Sequence, residues 1–120
     1  MLYDPIHDYD EVGRTLLKAA NYIDEHGQCK GRLQDANGAV CAYGALHATL
    51  FGKADISPDE WDIILQNTPE QHRLESLCSM ALLNETETLL SVWNDASSRT
   101  KDEVTDMFRR AAEKHKIISI

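Results

Sequence analysis

GQCKGRLQDANGAVCAYGALH, residues 27–47, is the stretch on which the reading of this chain turns. It carries two of the three cysteines, four of the six glycines and the only Asn-Gly pair, and no other segment has the period of a strand. Cys29, Gly31 and Leu33 alternate with Lys30, Arg32 and Gln34, which gives one small apolar face and one solvated face, the pattern of a short strand. Asn37-Gly38 offers the two positive-φ residues of a tight hairpin turn, and Val40 begins the return strand. With a two-residue loop Asp35 falls opposite Val40 and Gln34 opposite Cys41, so Cys29 has no partner across the pair. From Cys41 or Ala42 onward the small residues with Leu46, Leu50 and Phe51, closed by Gly52, read as a short buried helix. Gly44 and Ala48 on one face of it allow close approach of another helix or of the hairpin itself.

Upstream, Asp8 and Glu11 have the spacing of a capping box, and Val12, Leu16, Ala20 and Ile23 follow at helical intervals. They predict a helix over residues 8–26, ended by Gly27 as a left-handed cap. Downstream, Ser57, Pro58 and Glu60 form a second helix start, followed by Trp61, Ile64 and Leu65 on one face. Thr68-Pro69-Glu70-Gln71 repeats the device. Leu74, Leu77, Cys78, Ala81 and Leu82 then make an i, i+3, i+4 stripe. Asn84 with Glu87 suggests a break and a restart carrying Leu89, Leu90 and Trp93. Thr100 with Glu103 is the last capping box, and Val104, Met107, Phe108, Ala111 and Ala112 form the buried face of the final helix. KIISI, residues 116–120, reads either as a strand end or as a tail docked on the core. The sum is one domain over residues 1–120, mainly α (α+β): a compact bundle of about five or six short helices with one small β-hairpin after the first.

With 42% hydrophobic residues the chain is rich enough to fold around a core, and no apolar run reaches the length that spans a bilayer. The acidic, polar N-terminus is the opposite of a signal peptide, so a cytoplasmic location with reduced thiols is expected, and an odd cysteine count argues against a disulfide framework. The net charge of −8 repels nucleic acid and anionic membranes at long range. Arg109, Arg110, Lys114, His115 and Lys116 gather near the C-terminus, where cations suit the last turns of a helix.

Three groups of residues invite chemistry. Cys29, Cys41, His26 and His47 are the residue types zinc prefers, but no Cys-x-x-Cys occurs and free cysteine is commonly a small buried hydrophobe. Cys41 at the first turn of a helix would have its thiol pKa lowered by backbone amides. His47, six residues on, is rotated by about 240° and points away from it. Trp93, Asn94, Asp95 and Arg99 offer polar groups beside an indole, a recognition arrangement, or else a core residue with turn hydrogen bonds and an Arg99–Asp95 pair. The paired carboxylates sit in first turns of helices, where the macrodipole accounts for them, and the glycines match no phosphate-cradling spacing.

Gly27-Gln28-Cys29-Lys30-Gly31, Asp35, Asn37 through Leu46, Trp93-Asn94-Asp95, Arg99-Thr100 and Glu103-Val104 together resemble an uncharacterised domain-of-unknown-function family of short actinobacterial and actinophage proteins. Gln28 stands where that family has an aromatic residue, and Ala39 where it has Arg. The resemblance implies a phage or actinobacterial cytoplasmic protein and supplies no reaction, cofactor or catalytic residue.

These readings lead to the expectation of a small non-enzymatic binding protein without cofactor, acting by protein–protein contact through Lys30, Arg32, Trp93, Asn94, Asp95 and Arg99. Neither nucleic acid nor membrane is an expected partner, and a homodimer is left open. A zinc or thiol site on Cys29 and Cys41 is the alternative from another class, and an acidic nucleic-acid mimic a third.

Overall fold

A computed structural model describes residues 5–117 of the chain. A 3-10 turn at Pro5–Asp8 leads into six helices: α1 Glu11–His26, α2 Ala42–Phe51, α3 Pro58–Asn67, α4 Pro69–Thr86, α5 Leu90–Asp95 and α6 Lys101–Glu113.

The most extensive packing is between the first and last long helices, α1 and α6, with α2 and α4 closing the other sides of the core. Val12, Leu16, Ala19, Ala20 and Ile23 of α1 are buried against Val104, Met107, Phe108, Ala111 and Ala112 of α6, so both expected stripes face inward. Small residues on both helices let them approach closely, and Phe108 fills the resulting space as the largest fully buried side chain. Leu46 of α2 and Leu74, Cys78 and Leu82 of α4 complete the core.

The helix starts follow local chemistry. Ser57 and Thr100 each form a complete capping box with Glu60 and Glu103. The start of α1 lies two residues later than expected. Asp10, not Asp8, is its cap, with Oδ1 accepting from the Gly13 N–H at 2.9 Å. Asp8 is taken up by the 3-10 turn, where its carbonyl accepts from the Ile117 N–H at 2.6 Å. Thr68 makes no side-chain cap for α4; its hydroxyl donates back to the Ile64 carbonyl of α3 at 2.6 Å. The break after α4 falls at Glu87, whose φ of 58° is the only positive value among the described non-glycine residues.

The hairpin is not formed. Among the described residues there is no strand, only three isolated bridges: Tyr9 with Lys116, Gln34 with Val40, and a parallel one between Gln28 and Val40. The turn is one residue longer than a tight Asn-Gly hairpin. Only Gly38 has positive φ, 89°. The Gly38 N–H donates to the Asp35 carbonyl at 3.1 Å, and the Asp35 N–H donates to the Ala39 carbonyl at 2.9 Å. The Asp35 carboxylate also accepts from the backbone N–H groups of Asn37 and Ala39, holding the turn from within. This register places Gln34, not Asp35, across from Val40.

Val40 is contacted from both sides. The Cys29 N–H donates to its carbonyl at 2.9 Å, and its own N–H donates to the Gly27 carbonyl at 3.0 Å. Cys29 and Cys41 therefore follow the two members of one parallel bridge, a closeness that hairpin pairing had excluded. Residues 27–41 form a loop folded on itself, and its return arm feeds directly into α2, capped by Cys41.

At the other end of the chain, Lys116 bridges Tyr9, so the start of KIISI runs beside the N-terminal turn. Residues 118–120 lie outside the described residues.

Candidate functional site

The loop of residues 27–41 and the segment from Trp93 to Arg99 are joined by a dense set of hydrogen bonds centred on Asn94. That side chain is fully buried. Its Nδ2 donates to the Cys29 carbonyl at 3.0 Å and to Asp95 Oδ1 at 3.0 Å, while its Oδ1 accepts from the Ala42 N–H at 3.2 Å. Gln28 Nε2 donates to the Asn94 carbonyl at 3.3 Å. Both ends of the Asn94 amide are thus used inside the chain.

Around it, Asp95 Oδ1 accepts from the Gly31 N–H at 3.1 Å. Lys30 Nζ donates to the carbonyls of Ala96 and Ser97, at 2.7 and 3.3 Å, so an ammonium caps the end of α5. Arg99 Nε donates to the Trp93 carbonyl at 3.1 Å, and its guanidinium lies 3.9 Å from the centre of the Trp93 ring. The indole is half-buried with one face covered by that cation. The acid that pairs with Arg99 is Glu103 at 3.1 Å, not Asp95, because Asp95 is turned toward Gly31. Five of the six expected contact residues, Lys30, Trp93, Asn94, Asp95 and Arg99, therefore belong to one cluster. Arg32 stands beside it on the rim of a cleft of about 200 Å³ with Cys41, Tyr43, Ser91 and Asp95.

The return arm is pressed against α2 at Gly44. A Cβ there would collide with the Leu33 carbonyl oxygen and lie 3.3 Å from the Val40 Cβ. Small-residue packing of α2 on the loop is borne out at this position.

Of the four metal candidates, Cys29 and Cys41 lie near each other, whereas His26 and His47 are engaged in other surroundings. Cys29 Sγ donates to the Arg32 carbonyl and Cys41 Sγ accepts from the Gly44 N–H, both at 3.3 Å. His26 is exposed and stacks on Tyr22 with ring centres 4.0 Å apart. His47 is buried in an aromatic group, its ring 5.1 Å from Trp61 in an edge-on contact and 6.0 Å from Phe51. No group of three or more His, Cys, Asp or Glu among the described residues could hold a metal ion.

The lowered thiol pKa expected at Cys41 is reversed. Burial raises it, and the amides of Gly44 and Tyr43 only moderate that effect. Burial pushes Cys29 up to about 11 and Cys78 up to about 12. His47 is shifted the other way: burial holds its imidazole below the ordinary value, against the opposing influences of Glu75 and the Ala54 backbone. Glu75 Oε1 lies 4.0 Å from its Nε2.

The basic C-terminal cluster is neutralised by ion pairs. Arg109 pairs with Asp24 at 2.6 Å, Lys114 with Glu85 at 2.8 Å, and His115 with Asp10 at 3.0 Å. Arg110 and Lys116 also have carboxylates within 4 Å, namely Glu85 and Glu113.

A second surface was not legible as such. Leu77, Met80 and Leu83 on α4, Leu89 before α5 and Val92 on α5 are exposed, Met80 and Leu89 by 64% and 65%. Met80, Leu83 and Leu89 line one shallow cleft and Leu77 and Met80 another, so these four side chains form a continuous apolar face. Leu77, expected in the core stripe, belongs to this face. The signal was present in α4, which carries apolar residues all round.

The described chain is thus a helical domain in which residues 27–42 and 93–99 meet as a structural clasp beside an apolar face, and among the described residues no helix is long and apolar enough to cross a membrane. Residues 8–114 match the model of a family of unknown function, DUF6197, and the chain belongs to that family. Comparison with curated proteins and with solved structures returned no match.

Proposed function

We propose that the chain is a small binding protein, not an enzyme, that acts by protein–protein contact, as an accessory protein of phage or actinobacterial origin directed at host machinery. The observation that carries this is the apolar face of Leu77, Met80, Leu83 and Leu89, because large exposed apolar side chains grouped together mark interaction surfaces.

Charge selects the kind of partner. From Leu74 to Trp93 there is no Lys, Arg or His, and the charged residues are Glu75, Glu85 and Glu87. A second copy would bring another −8 to a chain that already carries −8, whereas a basic partner with an apolar ridge complements it. Lys30 and Arg32, the exposed cations beside the Asn94 clasp, are a separate candidate contact and so form the control.

The test compares proteins recovered by wild type, Met80→Glu/Leu83→Glu and Lys30→Gln/Arg32→Gln, each verified as folded by circular dichroism. A partner lost by the first variant and kept by the second supports the reading. Equal recovery by all three removes it. Light scattering on the same samples would assign the face to a second copy if wild type dimerises and Met80→Glu/Leu83→Glu does not.

A further inference from the structure

α1, α2 and the start of α4 enclose an open cleft of about 430 Å³, within the size range of small-molecule sites. Arg14 and Lys18 line it from α1, Thr49 and Gln71 from α2 and α4, and Leu50 and Leu74 give it an apolar part.

The two cations belong to the minority in this chain without a carboxylate partner. Of its 12 Lys and Arg residues, Lys53, Arg73, Arg99, Lys101, Arg109, Arg110, Lys114 and Lys116 each have a carboxylate within 4 Å. Among the described residues Arg14, Lys18, Lys30 and Arg32 have none, and of these Arg14 and Lys18 share one cleft. Arg14 makes one hydrogen bond, from Nη1 to the Tyr9 carbonyl at 3.0 Å, which steadies the guanidinium and leaves its other N–H groups unused. Lys18 is one helical turn further along the same face, close enough for both to meet one anion. In a protein of net charge −8, two cations without a carboxylate within 4 Å, against the single carboxylate of Glu11, give the lining of this cleft a local positive excess.

We infer that this cleft binds a small organic phosphate that also carries hydroxyl groups and a flat aromatic ring, the chemistry and size of a nucleoside monophosphate. Arg14 and Lys18 are donors for the phosphate, the guanidinium through paired N–H groups and the ammonium as a point charge. The Thr49 hydroxyl already donates to the Ala45 carbonyl at 2.9 Å, so toward the cleft it is an acceptor. The Glu11 carboxylate, also at the rim, is a second acceptor. Both suit hydroxyls of the ligand. Leu50 and Leu74 suit its ring.

The test is a titration of the whole chain, followed by amide NMR, with adenosine monophosphate and separately with inorganic phosphate. Saturable shifts at Arg14, Lys18, Thr49, Leu50 and Gln71 with the nucleotide are expected, weakened by about tenfold or more in Arg14→Gln/Lys18→Gln. Lys18→Gln alone removes no intramolecular contact and weakens binding in the same direction with the spectrum otherwise unchanged. Lys30→Gln/Arg32→Gln, which removes equal charge elsewhere, leaves the affinity as it was. Shifts that do not saturate, that survive in the Arg14→Gln/Lys18→Gln chain, or that inorganic phosphate reproduces in full would overturn the assignment.

Discussion

The side-chain amide of Asn94 donates to the backbone carbonyl of Cys29 across 65 residues of sequence, at 3.0 Å and out of reach of water. Through it a loop with almost no ladder of its own is fixed to α5. Replacing Asn94 by Ala leaves the Cys29 carbonyl and the Ala42 N–H without their partner and opens a cavity. Unfolding in urea is expected to show a loss of about 2–4 kcal/mol. A change below about 0.5 kcal/mol, the size of an ordinary surface substitution, would mean the clasp is not structural.

Gly44→Ala tests the packing of the loop on α2. The new methyl group meets the Leu33 carbonyl, a backbone atom that has no rotamer to move into. A cost of about 1–3 kcal/mol is expected, with amide NMR shifts concentrated in residues 28–41. Shifts confined to α2 itself would show that the loop is not pressed on it.

Acid weakens the fold in two separate windows. His47 has a folded pKa below its ordinary 6.5, because burial disfavours the charged ring. The unfolded chain then takes the proton first, so stability is complete above pH 6.5 and falls as the pH drops from there toward the folded value. His47→Phe, which keeps a ring against Trp61, removes that decline. Urea midpoints of both proteins between neutral pH and about pH 5 read it, and parallel curves would exclude His47 as the cause.

The second window belongs to Asp10. Burial would raise its carboxyl, but the Gly13 N–H and the His115 ring outweigh this and hold it below 3.8. Its contribution is present above pH 3.8 and is lost as the pH falls through the folded value. Asp10→Asn should therefore lower stability at neutral pH and flatten its loss in strong acid. An unchanged acid limb in that variant would count against the Asp10–His115 pair.

The thiols should behave as core groups. With Cys29 raised to about 11, on the order of one thiol in a thousand is ionised at about pH 8. Iodoacetamide labelling followed by mass spectrometry should be slow for all three cysteines and accelerate together with urea as the chain opens. Rapid labelling of Cys41 in the native chain would restore a reactive-thiol role for it.

The helices were legible because their signals are local. Ser57 with Glu60 and Thr100 with Glu103 are three residues apart, and the stripes of α1 and α6 repeat within one turn of helix. Residues 29–35 misled for the complementary reason. Their alternation is real, but a strand requires a neighbour, and the loop's bonds go to single carbonyls and to the side chains of Asp35, Asn94 and Asp95. Trp93, Asn94 and Asp95 were recognisable as a unit, whereas their meeting with Gln28, Lys30 and Gly31 is a tertiary fact with no local trace. The exposed face of α4 was partly hidden because Leu77 also fits a core stripe, and only burial separates it from Cys78.

The clasp also orders events in time. During synthesis the N-terminal residues emerge first, yet the Cys29 carbonyl and the Ala42 N–H gain their buried partner only when Asn94 has followed them. The face of α1 that holds Leu16 and Ile23 waits longer still, for Phe108 and Ala111. Nascent chains halted before α5 should remain protease-sensitive throughout the first forty or so residues, and commitment to the folded state should come as a single late step.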